Sequence, residues 1–310
     1  MKKQLILAMA IVATVAACGL ANAQVTAAIS GKVADPTGAG VDGTTVTVKS
    51  VETGAVRTTT TDHDGNYSVL SLPLGAQEVK AEKQGFKSAL RTGINLEVGE
   101  EAVVNLQLEV GDLAQQVTVA AETPLVNTTT AQISGTVDER EVKDLPLNGR
   151  SFDDLIALNP GAINYELKSA NTSTSNGNTF SVAGRRPSDN LFLLNGIEYT
   201  GSSQLGITPG GVSGELLGID AVREFNVLTD TYSAEYGKRA GAQIDVVTQS
   251  GTNALHGSAY EFIRNSDLDA KNYFDQGAIP PFRQNQFGTS LGGPLKKDKL
   301  FLFGNYEGFR

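Results

Sequence analysis

Few residues in this chain could do chemistry, and their spacing argues against most of it. There are two histidines and one cysteine. His63 and His256 lie far apart, and neither belongs to a His-x-x-x-His or His-x-x-Glu pattern that gathers ligands around zinc. Asp62, Asp64 and Asn66 have the spacing of the first ligands in a calcium loop. Tyr67, however, stands where an EF-hand needs glycine, and Pro73 where it needs a closing glutamate. A hairpin turn accounts for these residues better. Asp153 and Asp154 are adjacent, so on a helix they diverge by about 100° and do not pair as acid and base. No Gly-x-x-x-x-Gly-Lys loop is present. The expectation is a non-enzyme with no catalytic centre, no cofactor and no metal site.

What remains is recognition. Gln116-Val117-Thr118-Val119-Ala120-Ala121 is a short apolar stretch with polar flanks, stopped by Pro124. Such a segment can pair with the open sheet edge of a partner, or it can be the last strand or linker of the domain before it. Arg185 and Arg186 precede Pro187 and are either a solvated turn or partners for carboxylates. Residues 164–178 and 202–214 are polar or glycine-rich, as ligand-contacting loops often are; plain surface loops are the alternative.

The elements that hold these residues are mostly strands. The chain has 310 residues, 40% of them hydrophobic, with 34 Gly and 10 Pro, which suits two or three domains of short strands and turns. A net charge of -9 lacks the cationic footprint that attracts phosphate backbones, so nucleic acid is not an expected partner. At the N-terminus, Lys2 and Lys3 precede an uncharged run from Leu5 to Ala17, too short to span a bilayer as a helix but suited to a signal peptide. Ala21-Asn22-Ala23 offers a cleavage site, giving a signal peptide over 1–23; Val15-Ala16-Ala17-Cys18 offers lipidation at Cys18 instead. Either way the chain is exported, and cleavage after Ala23 leaves no thiol for disulfides.

Residues 24–112 contain about seven strand-like runs with turn punctuation, a small β-sandwich. Val104, Leu106, Leu108 and Val110 alternate with polar residues as one strand with a buried face. A linker follows over 113–126. Helical signals come next: Val137 to Leu145, then Phe152 to Leu158 after Ser151 with Asp154 in capping position. Phe180–Gly184, Asn190–Gly196 ending in an Asn195-Gly196 turn, and Ala242–Thr248 are expected strands, while Ile219 to Phe225 suits a short helix or a strand. From 254 onward, Leu255 to Arg264, Phe282 to Leu291 and Leu300 to Arg310 each have about 10 residues, the length of a tilted membrane-spanning strand. Gly292-Gly293-Pro294 with Lys296 to Lys299 is expected as the short turn between the last two. Phe301, Leu302 and Phe303 run together and break a simple alternation.

Residues Ile29 to Val33, Thr61-Asp62-x-x-Gly65-x-Tyr67, Leu72-Pro73-x-Gly75 and Lys83-x-Gly85-Phe86 resemble the carboxypeptidase regulatory-like domains, accessory β-sandwiches whose name implies no peptidase activity. From Gln115 onward the chain resembles the TonB-dependent receptors, in particular an Oar-like subgroup. The likeness rests on Leu145 to Arg150, Phe180 to Asn190, Leu194-Asn195-Gly196, Glu224-Phe225-x-Val227, Tyr232 to Gly237, Val247 to Asn253, His256 to Phe262, Asn272-Tyr273-Phe274 and Gly292-Gly293-Pro294. The resemblance implies a mainly β chain: an N-terminal β-sandwich, an α/β plug domain over 127–253, and from 254 to 310 the first strands of an incomplete transmembrane β-barrel. It implies outer-membrane lipid around that barrel and a TonB-type energy-coupling protein as partner. It also implies energised import of a bulky nutrient such as an oligosaccharide or a metal chelate. By position, Gln116 to Ala121 becomes the TonB box, and Arg185 and Arg186 become contacts from plug to barrel. Three strands cannot close a barrel, so a fragment is expected. The competing expectation is a secreted or surface-anchored binding or adhesion protein built on the sandwich.

Overall fold

A computed structural model describes residues 27–111, 116–120, 133–145, 152–164, 179–199, 217–232, 236–271, 277, 279 and 281–310. The expected signal peptide with Cys18, the stretch Leu147 to Arg150, nearly all of both candidate ligand loops, and Asn272 to Phe274 lie outside the described residues.

The first domain is a sandwich. Its strands are β1 (Ala27–Ala34), β2 (Thr45–Ser50), β3 (Val56–Thr60), β4 (Asn66–Leu72), β5 (Gly75–Glu82), β6 (Ser88–Leu96), β7 (Glu101–Val103), β8 (Leu106–Gln107) and β9 (Gln116–Ala120). One sheet runs β4-β1-β7 with β8 also on β1; the other runs β3-β2-β5-β6-β9. Alternation drives the packing: β5 buries every second residue along its length. Ile29, Val33, Val46, Val48, Val79, Ile94, Leu96 and Leu108 meet between the sheets. Each such side chain contributes about 1.5–3 kcal/mol by leaving water. Tyr67 reaches across and donates its hydroxyl to the Val104 carbonyl at 2.6 Å, so its polar end is satisfied inside the core. The run from Val104 to Val110 is not one strand. Val104, Leu106 and Leu108 do point inward, but Val110 is exposed and the ladder is broken into short pieces. The Asp62 carboxylate accepts the amides of Asp64 and Asn66, which makes the acidic group there a turn.

The second domain contains β10 (Ile133–Val137), helix α1 (Glu139–Asp144), a 3-10 helix (Phe152–Leu158), β11 (Ala162–Asn164), β12 (Phe180–Val182), β13 (Leu191–Leu194), β14 (Ile197–Glu198), β15 (Val222–Asp230) and β16 (Gln243–Thr248). Its main sheet runs β10-β15-β16-β13-β14, with β13 and β16 parallel and the other pairs antiparallel. Asp138 caps α1 in a reciprocal box with Glu141, so the helix begins at Glu139, two residues later than expected, and Val137 belongs to the sheet. Phe152 to Leu158 winds as a 3-10 helix and buries Phe152, Leu155 and Ile156. Phe152 meets Phe225 edge to face, with 6.1 Å between centroids. Asn164, expected in a loop, ends β11 instead. Ile219 to Ala221 is a 3-10 turn, and strand β15 starts directly after it. Asn195 and Gly196 both have positive φ, the two-residue turn that joins β13 to β14 as expected.

The third sheet is the hairpin series β17 (His256–Asn265), β18 (Arg283–Lys296) and β19 (Leu300–Phe309). Gly292-Gly293-Pro294 does not turn: it lies inside β18, and the turn is Lys297 to Lys299. The β17 ladder stops at His256 opposite Gly292, so from there β18 is paired on one side only and tolerates a proline. The register also resolves the aromatic run. Leu302 lies opposite Gly293, while Phe301 and Phe303 lie opposite Pro294 and Gly292 on the other face. One face carries Ile263, Phe287, Leu291, Leu302 and Tyr306, all exposed. The other carries polar groups, among them Ser258 bonded to Ser290 and Tyr260 bonded to Glu307. No helix among the described residues is long and apolar enough to cross a membrane.

Candidate functional site: a docked strand and a latched plug

The segment Gln116 to Ala120 forms strand β9, and it is not free. It pairs in parallel with β6, Ser88 opposite Gln116 through Thr92 opposite Ala120, and so adds a fifth strand to the sandwich sheet. The chain is tied down just before it. Lys87 donates its amide to the Glu109 carbonyl at 2.8 Å, and Gly111 donates to Gly85 at 3.1 Å. β9 is terminal in the order of its sheet, so among the described strands one of its edges is covered by β6 and the other is open. Ala121 lies outside the described residues.

A second junction joins the same sandwich to the α/β domain. Strand β15 reads Val-Arg-Glu-Phe-Asn-Val-Leu-Thr-Asp, yet its first eight residues are all buried, so both of its faces are covered. Phe225 and Val227 face the domain's own core beside Val246 and Ile244. Opposite them, Glu224 and Asn226 turn to the sandwich. The Val98 amide donates to Glu224 Oε1 at 2.7 Å, and Asn226 Nδ2 donates to the Val98 carbonyl at 2.9 Å. Val247, paired with Glu224, completes the sandwich core cluster.

The strongest contact is ionic. Both terminal nitrogens of Arg223 donate to the two oxygens of Glu52, each at 2.9 Å, the forked geometry that suits guanidinium and carboxylate. The seat for this pair is made by Gly75. It adopts φ +91, and a Cβ there would lie 2.3 Å from Arg223 Nη2 and from Glu52 Oε1. Burial pushes the Glu224 carboxyl up to about 7, against the pull of Arg223 and the Val98 amide. Burial also raises neighbouring Glu97 and Glu100. Deeper in the sheet, burial lifts Asp245 to about 6 although it accepts the Gly196 amide.

The two arginines singled out by sequence behave differently. Arg185 Nη1 donates to the Thr229 carbonyl at 3.1 Å and Nη2 pairs with Asp230 at 3.4 Å, both within its own domain. Arg186 is exposed and starts the 3-10 turn at Pro187–Asp189. The contact between the α/β domain's exit and the hairpins is made elsewhere. Asn253 Nδ2 donates to Asp298 Oδ1 at 2.8 Å, and the Asp298 amide returns a bond to Asn253 Oδ1 at 2.9 Å.

One nucleophile spacing does occur: Gly288-Thr289-Ser290-Leu291-Gly292 fits Gly-x-Ser-x-Gly. That motif works on a sharp strand-to-helix turn. Here Ser290 is mid-strand in β18, paired on both sides, with its Oγ 2.9 Å from Ser258 Oγ. Among the described residues no group of three or more metal-ligating side chains is gathered together.

Three family models match the chain in sequence order. A carboxypeptidase regulatory-like domain matches residues 28–109, a TonB-dependent receptor plug domain 126–242, and an outer membrane beta barrel domain 247–310. The chain belongs to the TonB-dependent receptors of the outer membrane. It is 30% identical to the TonB-dependent transporter Oar of Myxococcus xanthus over 278 residues, 84% of this chain and 24% of that protein. The chain thus spans about a quarter of the length of the curated relative it matches. Among solved structures, the siderophore receptor PirA from Acinetobacter baumannii is 24% identical, covering 56% of this chain and 24% of that one, with a TM-score of 0.43. The outer membrane transporter YddB from Escherichia coli is 18% identical, covering 56% and 26%, with a TM-score of 0.44. Family membership puts the chain among receptors and transporters, which are not an enzyme class. Most of the α/β domain falls within the plug match and all three hairpin strands fall within the outer membrane beta barrel match.

Proposed function

We propose that this chain supplies the sandwich, plug and first barrel strands of a receptor for energised import across the outer membrane, with Gln116 to Ala121 as its TonB box. The observation that carries the reading is the strand at Gln116–Ala120, extended and at a sheet margin, between the sandwich and the plug. Pairing with a TonB-type coupling protein needs an extended backbone with bonding groups to share, which is the chemistry of strand addition. The cargo is a bulky nutrient, an oligosaccharide or a metal chelate, met on the outer side by the loops at 164–178 and 202–214. Arg185 and Arg186 help to hold the plug in the barrel, Arg185 by fixing the end of β15 through Thr229 and Asp230.

The test is uptake by the complete gene product after deletion of Gln116 to Ala121. Loss of energy-dependent uptake, with ligand binding at the cell surface retained, is the expected result. Undiminished energised uptake removes the TonB-box assignment. A water-soluble product with no membrane form would favour the rival reading, a surface binding or adhesion protein.

A further inference from the structure

We infer that the sandwich is a parking site for the TonB box: strand β9 on the edge of β6 is the resting form, and coupling requires it to unzip. The inference rests on the proposed role of Gln116 to Ala121 and adds what controls it.

Three observations carry it. The ladder is parallel and only five residues long, Ser88–Thr92 against Gln116–Ala120, and short parallel ladders at a sheet margin are among the first contacts to open. Second, the strand is tethered closely on its N-terminal side by the bonds from Lys87 to Glu109 and from Gly111 to Gly85. The edge of β6 is therefore presented to β9 at high effective concentration, and any external strand must compete with an intramolecular one. Third, the path of load matters. While β9 stays on β6, tension on residues 116–120 passes into the sandwich. The sandwich itself is fastened to β15 through Glu52 with Arg223 and through Val98 with Glu224 and Asn226. Only when β9 has left β6 does tension pass along the chain to β10 (Ile133–Val137), the outermost strand of the plug sheet. The sandwich edge and the coupling protein thus bind the same backbone in turn.

A covalent lock tests this. Leu90 and Thr118 are directly paired backbone positions of the ladder, and Leu90 neighbours Ala89, whose side chain is in the core. In a Cys18→Ser background, Leu90→Cys with Thr118→Cys should form a disulfide in the full chain. Binding of a purified TonB C-terminal domain should then fall at least about tenfold on oxidation and return on reduction. If no disulfide forms, the docking is wrong. If it forms and binding is unchanged while deletion of 116–121 abolishes binding, the TonB box stands but its release is not required, and the coupling protein uses the open outer edge. If the deletion leaves binding intact, the TonB-box reading itself fails. The unmodified chain gives a second readout by amide hydrogen exchange: residues 116–120 should be protected alone and should lose the β6 pairing, seen as exposure of Leu90 and Thr92, when the TonB domain is added. Free exchange of 116–120 in the chain alone overturns the inference.

Discussion

The sandwich is attached to its surroundings in two ways that differ in kind. On β15 it holds by side chains: a forked ion pair between Arg223 and Glu52, and two bonds to the Val98 peptide from Glu224 and Asn226. On β9 it holds by a five-residue backbone ladder. The first attachment depends on residue identity, is mostly buried, and leaves charged groups stranded if it opens. The second can be made with any extended segment and costs little to exchange. A domain fixed by one and open to substitution at the other is suited to stay on the plug while lending its free edge.

Substitutions at the latch should break this contrast, and the largest effect is expected at Gly75. Gly75→Val puts a β-branched residue at φ +91 and a Cβ into the space of Arg223 and Glu52. A loss of about 3 kcal/mol or more is expected, from backbone strain and overpacking together. Chemical denaturation followed separately in sandwich and plug should show the two melting apart; a single unchanged transition would mean that the latch does not couple them. Arg223→Ala should cost about 2 kcal/mol, less than a fully buried pair because Glu52 keeps some contact with water. The measurement is a double-mutant cycle with Glu52→Ala, in which a coupling near zero would refute the pairing.

The smallest effect is a pH dependence. Glu224 has its folded value raised to about 7 by burial, above its ordinary 4.5. The folded state therefore binds the extra proton between those values, and the contribution is full below about 4.5 and lost as pH rises through 7. Glu97 and Glu100, raised in the same direction, add to it. Arg223 and the Val98 amide oppose it without reversing it. Tm should decline between pH 5 and pH 8, and Glu224→Gln should flatten that decline. A parent and variant with the same slope would place the titrating group elsewhere.

These two attachments also mark where sequence was informative. The sandwich core was legible because each strand buries one face, and strict alternation in β5 announces it. The Asn195-Gly196 hairpin was legible because its backbone needs two positive φ values. The latch was not. Glu224 and Asn226 occupy the polar face of an alternating strand, which in isolation means solvent, and nothing local says that another domain covers it. Residues 171 positions apart, Glu52 and Arg223, have no common signal in one sequence. Gly292-Gly293-Pro294 misled for the opposite reason: its turn chemistry is real, but a ladder paired on one side leaves room for it inside a strand. Phe301 and Phe303 obscured the alternation of β19 because aromatic residues suit both a lipid face and a face turned to the plug.

Asn253 gives these contacts a common pivot. Its amide donates to the Glu52 carbonyl at 2.8 Å while its side chain exchanges two bonds with Asp298 in the β18–β19 turn. Glu52 therefore serves twice, by carboxylate to Arg223 and by carbonyl to Asn253. A rotation of the sandwich that dislodges one bond dislodges the other, and the hairpin turn feels both. Displacement of the sandwich at this corner therefore loads the Arg223 pair and the Asn253 bond together, and Asn253 passes part of that load to the hairpin turn through Asp298.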